Sequence, residues 1–157
     1  MFRRYSLPIP SSSLYDQDTF YRMFTRDIRH ARKQLIIESP FITTKRVQML
    51  LPFFEKLRKR GVHIVINTRN PEEHDEIYQA QATEAIALFQ TLDIVVLFTA
   101  RHHRKLAIID NEIVWEGSLN ILSFSDSCEI MRRITSSEDA TALINFIKLD
   151  RFIGTSL

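Results

Sequence analysis

The sequence predicts an α/β domain, a mixed β-sheet flanked by helices. Three observations carry that prediction. Short apolar runs at 34–39 (QLIIES), 62–67 (VHIVIN) and 94–98 (IVVLF) alternate with longer amphipathic segments. The first two runs enclose one helical segment, which implies a right-handed parallel crossover. Two later runs, 105–109 and 113–115, are separated only by Asp110-Asn111-Glu112, a turn that folds the chain back on itself. Parallel and antiparallel pairings therefore share one sheet.

Each element has its own signal. Residues 1–13, with Pro8, Pro10 and Ser11 to Ser13, read as an irregular arm. A helix is expected over about residues 16–33, because Phe20, Phe24, Ile28, Ala31 and Leu35 recur with a helical period. Arg22, Arg26, Arg29 and Lys33 fall on another face of it. Pro40 ends the strand at 34–39. Thr43 or Thr44 caps a helix over 45–60, and Gly61 stops it. Pro52 lies inside this helix and is expected to kink or split it. A polar, acidic loop over 69–76 leads to a helix over 75–92, with Ile77, Ala80, Ala85, Leu88 and Phe89 as inward positions. A last strand is expected over 129–134. Ser136 or Ser137, followed by Glu138 and Asp139, opens a final helix over 138–152.

Composition narrows the function classes. A chain of 157 residues fits a single domain spanning 1–157. Its one cysteine, Cys128, excludes an internal disulfide framework and a cysteine-built zinc site. No apolar run approaches the ~20 residues of a membrane span. No apolar core follows Arg3 and Arg4, as a secretory leader would need. The expectation is a cytoplasmic protein without stable membrane association. The net charge of +2 hides an asymmetry: residues 1–70 carry 14 Lys/Arg against 5 Asp/Glu, and residues 71–157 carry 7 against 14. A basic segment suits a polyanionic partner, although folding can also mix the two halves into an ordinary surface.

The residues that carry chemistry lie between positions 103 and 129. His103 and Lys105 alternate, so they share one side of an extended chain. A neutral imidazole is a competent nucleophile toward phosphorus, and a lysine beside it holds a phosphate oxygen as a point charge. Gly117 permits close backbone approach, and Ser118 and Asn120 offer hydrogen bonds to phosphate oxygens. These groups describe a site for a tetrahedral anion. Asp110, at the far end of the strand from His103, reads as the residue that holds the turn. His102 faces away from His103, towards packing or the surface. His30 and His63 read as structural.

The order His103-x-Lys105, four residues, Asp110, six residues, Gly117-Ser118-x-Asn120 resembles the signature of the phospholipase D superfamily at every fixed position and both gaps. The stretch from Trp115 to Ser123, followed by Glu129-Ile130-Met131-Arg132, is similar to nuclease-like domains of that family found alone or fused to helicases and restriction enzymes. The resemblance implies a phospholipase-D-like single repeat and a metal-independent phosphodiesterase with no cofactor. It implies that Glu129 orients the nucleophilic histidine through its second ring nitrogen. It also implies two histidines per site: one forms a phosphohistidine, and the other protonates the leaving oxygen and then activates water. With one His-x-Lys motif per chain, the expectation is a homodimer whose site lies on the two-fold axis. The nucleic-acid backbone, DNA in the first instance, is expected along Arg22, Arg26, Arg29, Lys33, Lys45 and Arg46. A helicase or restriction protein is a possible partner. Two other readings stay open: a non-catalytic nucleic-acid-binding and dimerisation module, and a phospholipid hydrolase or phosphatidyl transferase.

Overall fold

The computed structural model describes residues 11–153. Seven strands form one mixed sheet: β1 (Ser12–Asp16), β2 (Gln34–Glu38), β3 (His63–Thr68), β4 (Val95–Phe98), β5 (Leu106–Ile109), β6 (Ile113–Gly117) and β7 (Ile130–Thr135). Their order across the sheet is β1-β7-β6-β5-β2-β3-β4. β2, β3 and β4 run parallel, and the other pairings are antiparallel. Four α-helices cover the sheet among the described residues: α1 (Phe20–Arg29), α2 (Thr44–Lys59), α3 (Glu76–Thr91) and α4 (Ser137–Phe146).

The strand side chains alternate between two cores. On one face Leu35, Ile37, Ile64, Ile66, Ala107 and Trp115 pack against α1, α2 and α3 through Phe20, Phe24, Leu50, Phe54 and Phe89. On the other face Ile36, Val65, Leu106, Ile108 and Val114 pack against Ala140 and Ile144 of α4. Strand β2 is central and buried at all five positions, so its sequence is a continuous run rather than an alternation.

Several boundaries differ from the sequence expectation, each for a local reason. Of the expected arm, residues 1–10 lie outside the described residues, and Ser12 and Ser13 belong to β1. The first helix is shorter at both ends. At its start Asp16 Oδ1 accepts from the amides of Asp18 and Thr19, both at 3.0 Å, and this turn ends β1 before the helix begins. At its end the Arg60 guanidinium takes the carbonyls of Arg29 (2.9 Å) and Ala31 (2.8 Å), which a longer helix would need. Thr43 is the N-cap of α2, but its hydroxyl accepts from Phe124 N instead of from the helix. Gln81 Oε1 of α3 takes the Thr44 amide at 2.9 Å. Pro52 does not split α2, which is continuous through it. Pro52 is exposed, so water can satisfy the carbonyl its missing N–H leaves free. In α3 the inward face is Ala82, Ala85, Ile86 and Phe89, whereas Ile77, Ala80 and Leu88 are exposed. The last helix ends at Phe146, and a 3-10 turn (Asp150–Phe152) follows.

Candidate active site

The antiparallel pairing of β2 with β5 divides the motif between the two edges of the sheet. Leu106 lies opposite Glu38 and Ile109 opposite Leu35. Residues just before β5 therefore sit at the C-terminal edge of β2, while Asp110 sits at the opposite edge.

His103 is exposed in the extended segment that precedes β5. Lys105 Nζ donates to the His103 carbonyl at 2.9 Å and lies 3.3 Å from ring Nδ1. Imidazole and ammonium thus share one side of the chain. Burial, with help from the Arg69 guanidinium, holds the Lys105 ammonium below its ordinary value, against the opposing pull of Glu129. The lysine is a half-buried cation next to an imidazole.

The end of β6 supplies the second half of the site. Gly117 crosses β7 so closely that a Cβ there would collide with the Ile130 carbonyl and come within 2.8 Å of Met131 Sδ. Only glycine fits. The next residue, Ser118, is pinned by three contacts: its amide donates to Ile130 O (2.9 Å), its Oγ accepts from Ile130 N (3.0 Å), and its hydroxyl donates to Glu129. Asn120 is half-buried, and its Oδ1 is sealed with no hydrogen-bond partner among the described residues.

Glu129 does not meet His103. Its oxygens take the hydroxyls of Ser118 and Ser127, the latter at 2.7 Å, and Gln17 holds its amide at 2.9 Å. The ring nitrogen that the resemblance assigned to Glu129 instead faces Lys105. Two serines adjacent in space satisfy the carboxylate locally, so its reach in this structure is towards Lys105 by charge rather than to the imidazole by a hydrogen bond.

Asp110 lies outside this cluster. Its carboxylate accepts from the backbone amides of Arg32 (2.9 Å), Lys33 (2.8 Å) and Gln34 (3.1 Å). It ties the β5–β6 turn to the start of β2. Asp110 and Asn111 both have positive φ in that turn, the conformation of a tight hairpin.

Behind His103 lies a network that the sequence reading missed. Glu38, fully buried at the end of β2, accepts from His102 Nε2 at 2.5 Å, Arg104 Nε at 2.7 Å and Asn67 Nδ2 at 3.1 Å. His102 is neither exposed nor simple packing: it is buried against a carboxylate. Arg69 adds a hydrogen bond to the His102 carbonyl at 2.9 Å. The two residues flanking His103 are thus anchored to one carboxylate, which fixes the segment without strand pairing. Desolvation alone would raise the Glu38 carboxyl, but the hydrogen bonds from His102, Arg104 and Asn67 outweigh it and hold it low. A single charged residue inside the apolar run QLIIES was the available signal.

The basic residues divide as well. Helix α1 starts at the site edge, where Tyr21 Oη donates to Ile121 O at 2.8 Å, and ends near the start of β2. Arg22, Arg26 and Arg29 are exposed along it, with Arg29 lying over Phe53. Lys33 sits at the far edge beside Asp110. Lys45 and Arg46, at the start of α2, lie by the loop that follows Asn120. Arg58 and Arg60 are engaged on backbone carbonyls. Among the described residues, no group of three His, Cys, Asp or Glu side chains is placed to hold a metal ion. No helix among them is long and apolar enough to cross a membrane.

Comparison with known proteins places this architecture. A family model described as cardiolipin synthase, PLD-like domain, matches residues 24–150. No curated protein sequence matches the chain. Among solved structures, Nuc from Salmonella typhimurium, a phospholipase D family member, superposes with a TM-score of 0.68 at 16% identity, over 93% of this chain and 98% of that one. Phosphatidylserine synthase from Haemophilus influenzae gives 0.67 at 11% identity, over 93% of this chain and 40% of that one. TrmBL2, an archaeal chromatin protein whose DNA binding has been described, gives 0.61 at 10% identity, over 98% of this chain and 57% of that one. At these identities the structural matches speak for the fold, and the family match covers most of the sequence: the chain belongs to the phospholipase-D-like domain family.

Proposed function

We propose that the chain is a metal-independent phosphodiesterase acting on nucleic acid, an endonuclease assembled as a homodimer. The observation that carries this reading is the His103–Lys105 pair, which shares an open cleft with Gly117, the residue that precedes Ser118. Lys105 and the Asn120 amide bind the phosphate. The ring nitrogen not facing Lys105, Nε2, attacks phosphorus: an N–P bond forms, and the P–O bond to the leaving oxygen breaks. His103 of the partner subunit gives that oxygen its proton. It then takes a proton from the water that displaces the imidazole from phosphorus. One His-x-Lys motif per chain leaves the site incomplete without a second copy.

A seat for that copy lies beside the motif. Leu14 (61% exposed) and Ile130 (64% exposed) line the same open cleft as His103 and Lys105. Apolar side chains at that position suit burial in a two-fold interface. Exposed Arg22, Arg26 and Lys45, with half-buried Arg46, suit a phosphate backbone, and the structural likeness to a DNA-binding chromatin protein agrees with a nucleic-acid substrate.

The test is cleavage of labelled single- and double-stranded DNA in excess EDTA by the natural chain and by His103→Ala. Cutting by the natural chain alone is expected. Equal cutting by both would remove His103 from the mechanism. Salt-sensitive binding with no cutting by either would favour a binding module. Cleavage of phospholipid vesicles in place of DNA would favour the lipid enzyme.

A further inference from the structure

The cleft between the starts of α1 and α2 and the loop following Asn120 is not used by the chemistry above. It is a cavity of about 270 Å³ walled by Tyr21, Arg46, Leu119, Ser123, Phe124 and Glu129, near the lower end of ligand-pocket sizes, about 300 Å³. Glu129 connects it to Ser118. Phe124 is 42% exposed although its backbone is fixed. Its amide donates to Thr43 Oγ1 at 2.8 Å, and the neighbouring Leu122 exchanges contacts with Thr43 and Ser39. An exposed ring on a pinned loop contributes little to the core.

Two cations attend that ring. Lys45 Nζ lies 3.6 Å from its centroid, and Arg46 Cζ lies 5.6 Å away and 3.6 Å from the centroid of Tyr21. Neither cation forms an ion pair among the described residues. The Arg46 guanidinium donates to a thioether, Met49 Sδ, at 3.1 Å, and its Nε is sealed without an acceptor among the described residues. A guanidinium held over an aromatic face, but lacking an anion, is preorganised for one. Asp18 and Asp126 also line the cavity. Those carboxylates exclude a phosphate from its interior and can accept from the N–H groups of a base.

We propose that this cleft is a subsite for one unpaired nucleotide of the substrate, its base stacked on Phe124 and its phosphate at the rim on Lys45 and Arg46. The proposal rests on the nucleic-acid reading and narrows it to single-stranded substrate. In a duplex both faces of a base are covered by its neighbours, so only an unpaired base can reach a ring set in a cleft.

The test measures anisotropy of a short fluorescein-labelled DNA strand, alone and annealed to its complement, on a His103→Ala background that cannot cut. The single strand is expected to bind more tightly than the duplex. Phe124→Ala should weaken single-strand binding about 5- to 150-fold and leave duplex binding unchanged. Phe124→Trp should retain the affinity. Arg46→Gln should make the slope of log affinity against log salt shallower by about 0.7. Circular dichroism verifies that each variant is folded. Single-strand binding by Phe124→Ala equal to that of the parent would overturn the subsite, as would Phe124→Trp failing like Ala. The two readings fail separately. If the chain with His103 cuts DNA and Phe124→Ala cuts it equally well, the subsite falls and the nuclease stands. If single-strand binding depends on Phe124 but the chain with His103 never cuts, the nuclease falls and the subsite stands. Absence of all DNA binding overturns both.

Discussion

The Glu38 carboxylate and the His102 imidazole meet at 2.5 Å with neither side chain open to solvent. Arg104 closes on the same carboxylate from the other side of His103. The segment bearing the proposed nucleophile is therefore held by side-chain hydrogen bonds to one buried carboxylate. Removing the carboxylate leaves buried donors without an acceptor. Glu38→Ala should cost about 3–5 kcal/mol of stability in urea denaturation. It should also reduce cleavage by the molecules that remain folded, because His103 loses both anchors.

The same carboxylate makes stability depend on pH. Its folded value lies below the ordinary 4.5. The stabilisation is thus complete above about 4.5 and is lost as pH falls through the lower folded value. Melting curves from neutral pH into the acid range should show this loss in the natural chain. Glu38→Gln should be less stable at neutral pH and should lose less on acidification.

Lys105 sets a different pH limb. Burial and Arg69 lower its value, and Glu129 raises it. If the ammonium binds phosphate, activity falls on the alkaline side as Lys105 deprotonates, below the ordinary 10.5. Glu129→Gln should move that limb to lower pH, and Arg69→Gln should move it to higher pH. Rate profiles of the two variants that shift in the same direction would contradict this electrostatic assignment.

Gly117 and Asp110 test stability at opposite edges of the sheet. Gly117→Ala forces a Cβ into the backbone of β7. Overpacking of this kind costs about 1–3 kcal/mol, a fall in Tm of about 2–12 °C. Activity should fall with it, since Ser118 is the next residue. Asp110→Ala frees three backbone amides and should cost about 1–3 kcal/mol. Its rate per folded molecule should stay near that of the natural chain, because Asp110 is remote from His103.

The dimer can be broken without touching the motif. Leu14→Glu with Ile130→Glu puts two carboxylates where the second copy is expected to seat. Light scattering should report a monomer, and cleavage should vanish although His103 and Lys105 remain. A fully active monomer would rule out a shared site.

The amino-acid sequence by itself determined the order of the strands and α-helices that follow β1, the mixed sheet and the His103-x-Lys105 motif. Those properties are local: an apolar run, a helical period, Asp110-Asn111 at a turn, and a fixed spacing of six residues are written along the chain. It also placed Asp110 away from the chemistry, because a strand's length separates it from Lys105. The tertiary structure decided what depends on partners distant in sequence. Where α1 ends, Arg60 takes the carbonyl of its last residue, Arg29, and that of Ala31 just beyond it. Glu129 binds Ser118 and Ser127 rather than His103, because the loop between β6 and β7 brings two hydroxyls within reach. Glu38, His102 and Arg104 become one cluster only when β5 pairs with β2, some 65 residues apart in the chain. Phe124 acquires its two cations only where α2 begins against that loop. Burial and charge pairing are properties of the assembled sheet, and no periodicity in the sequence encodes which buried carboxylate will meet which imidazole.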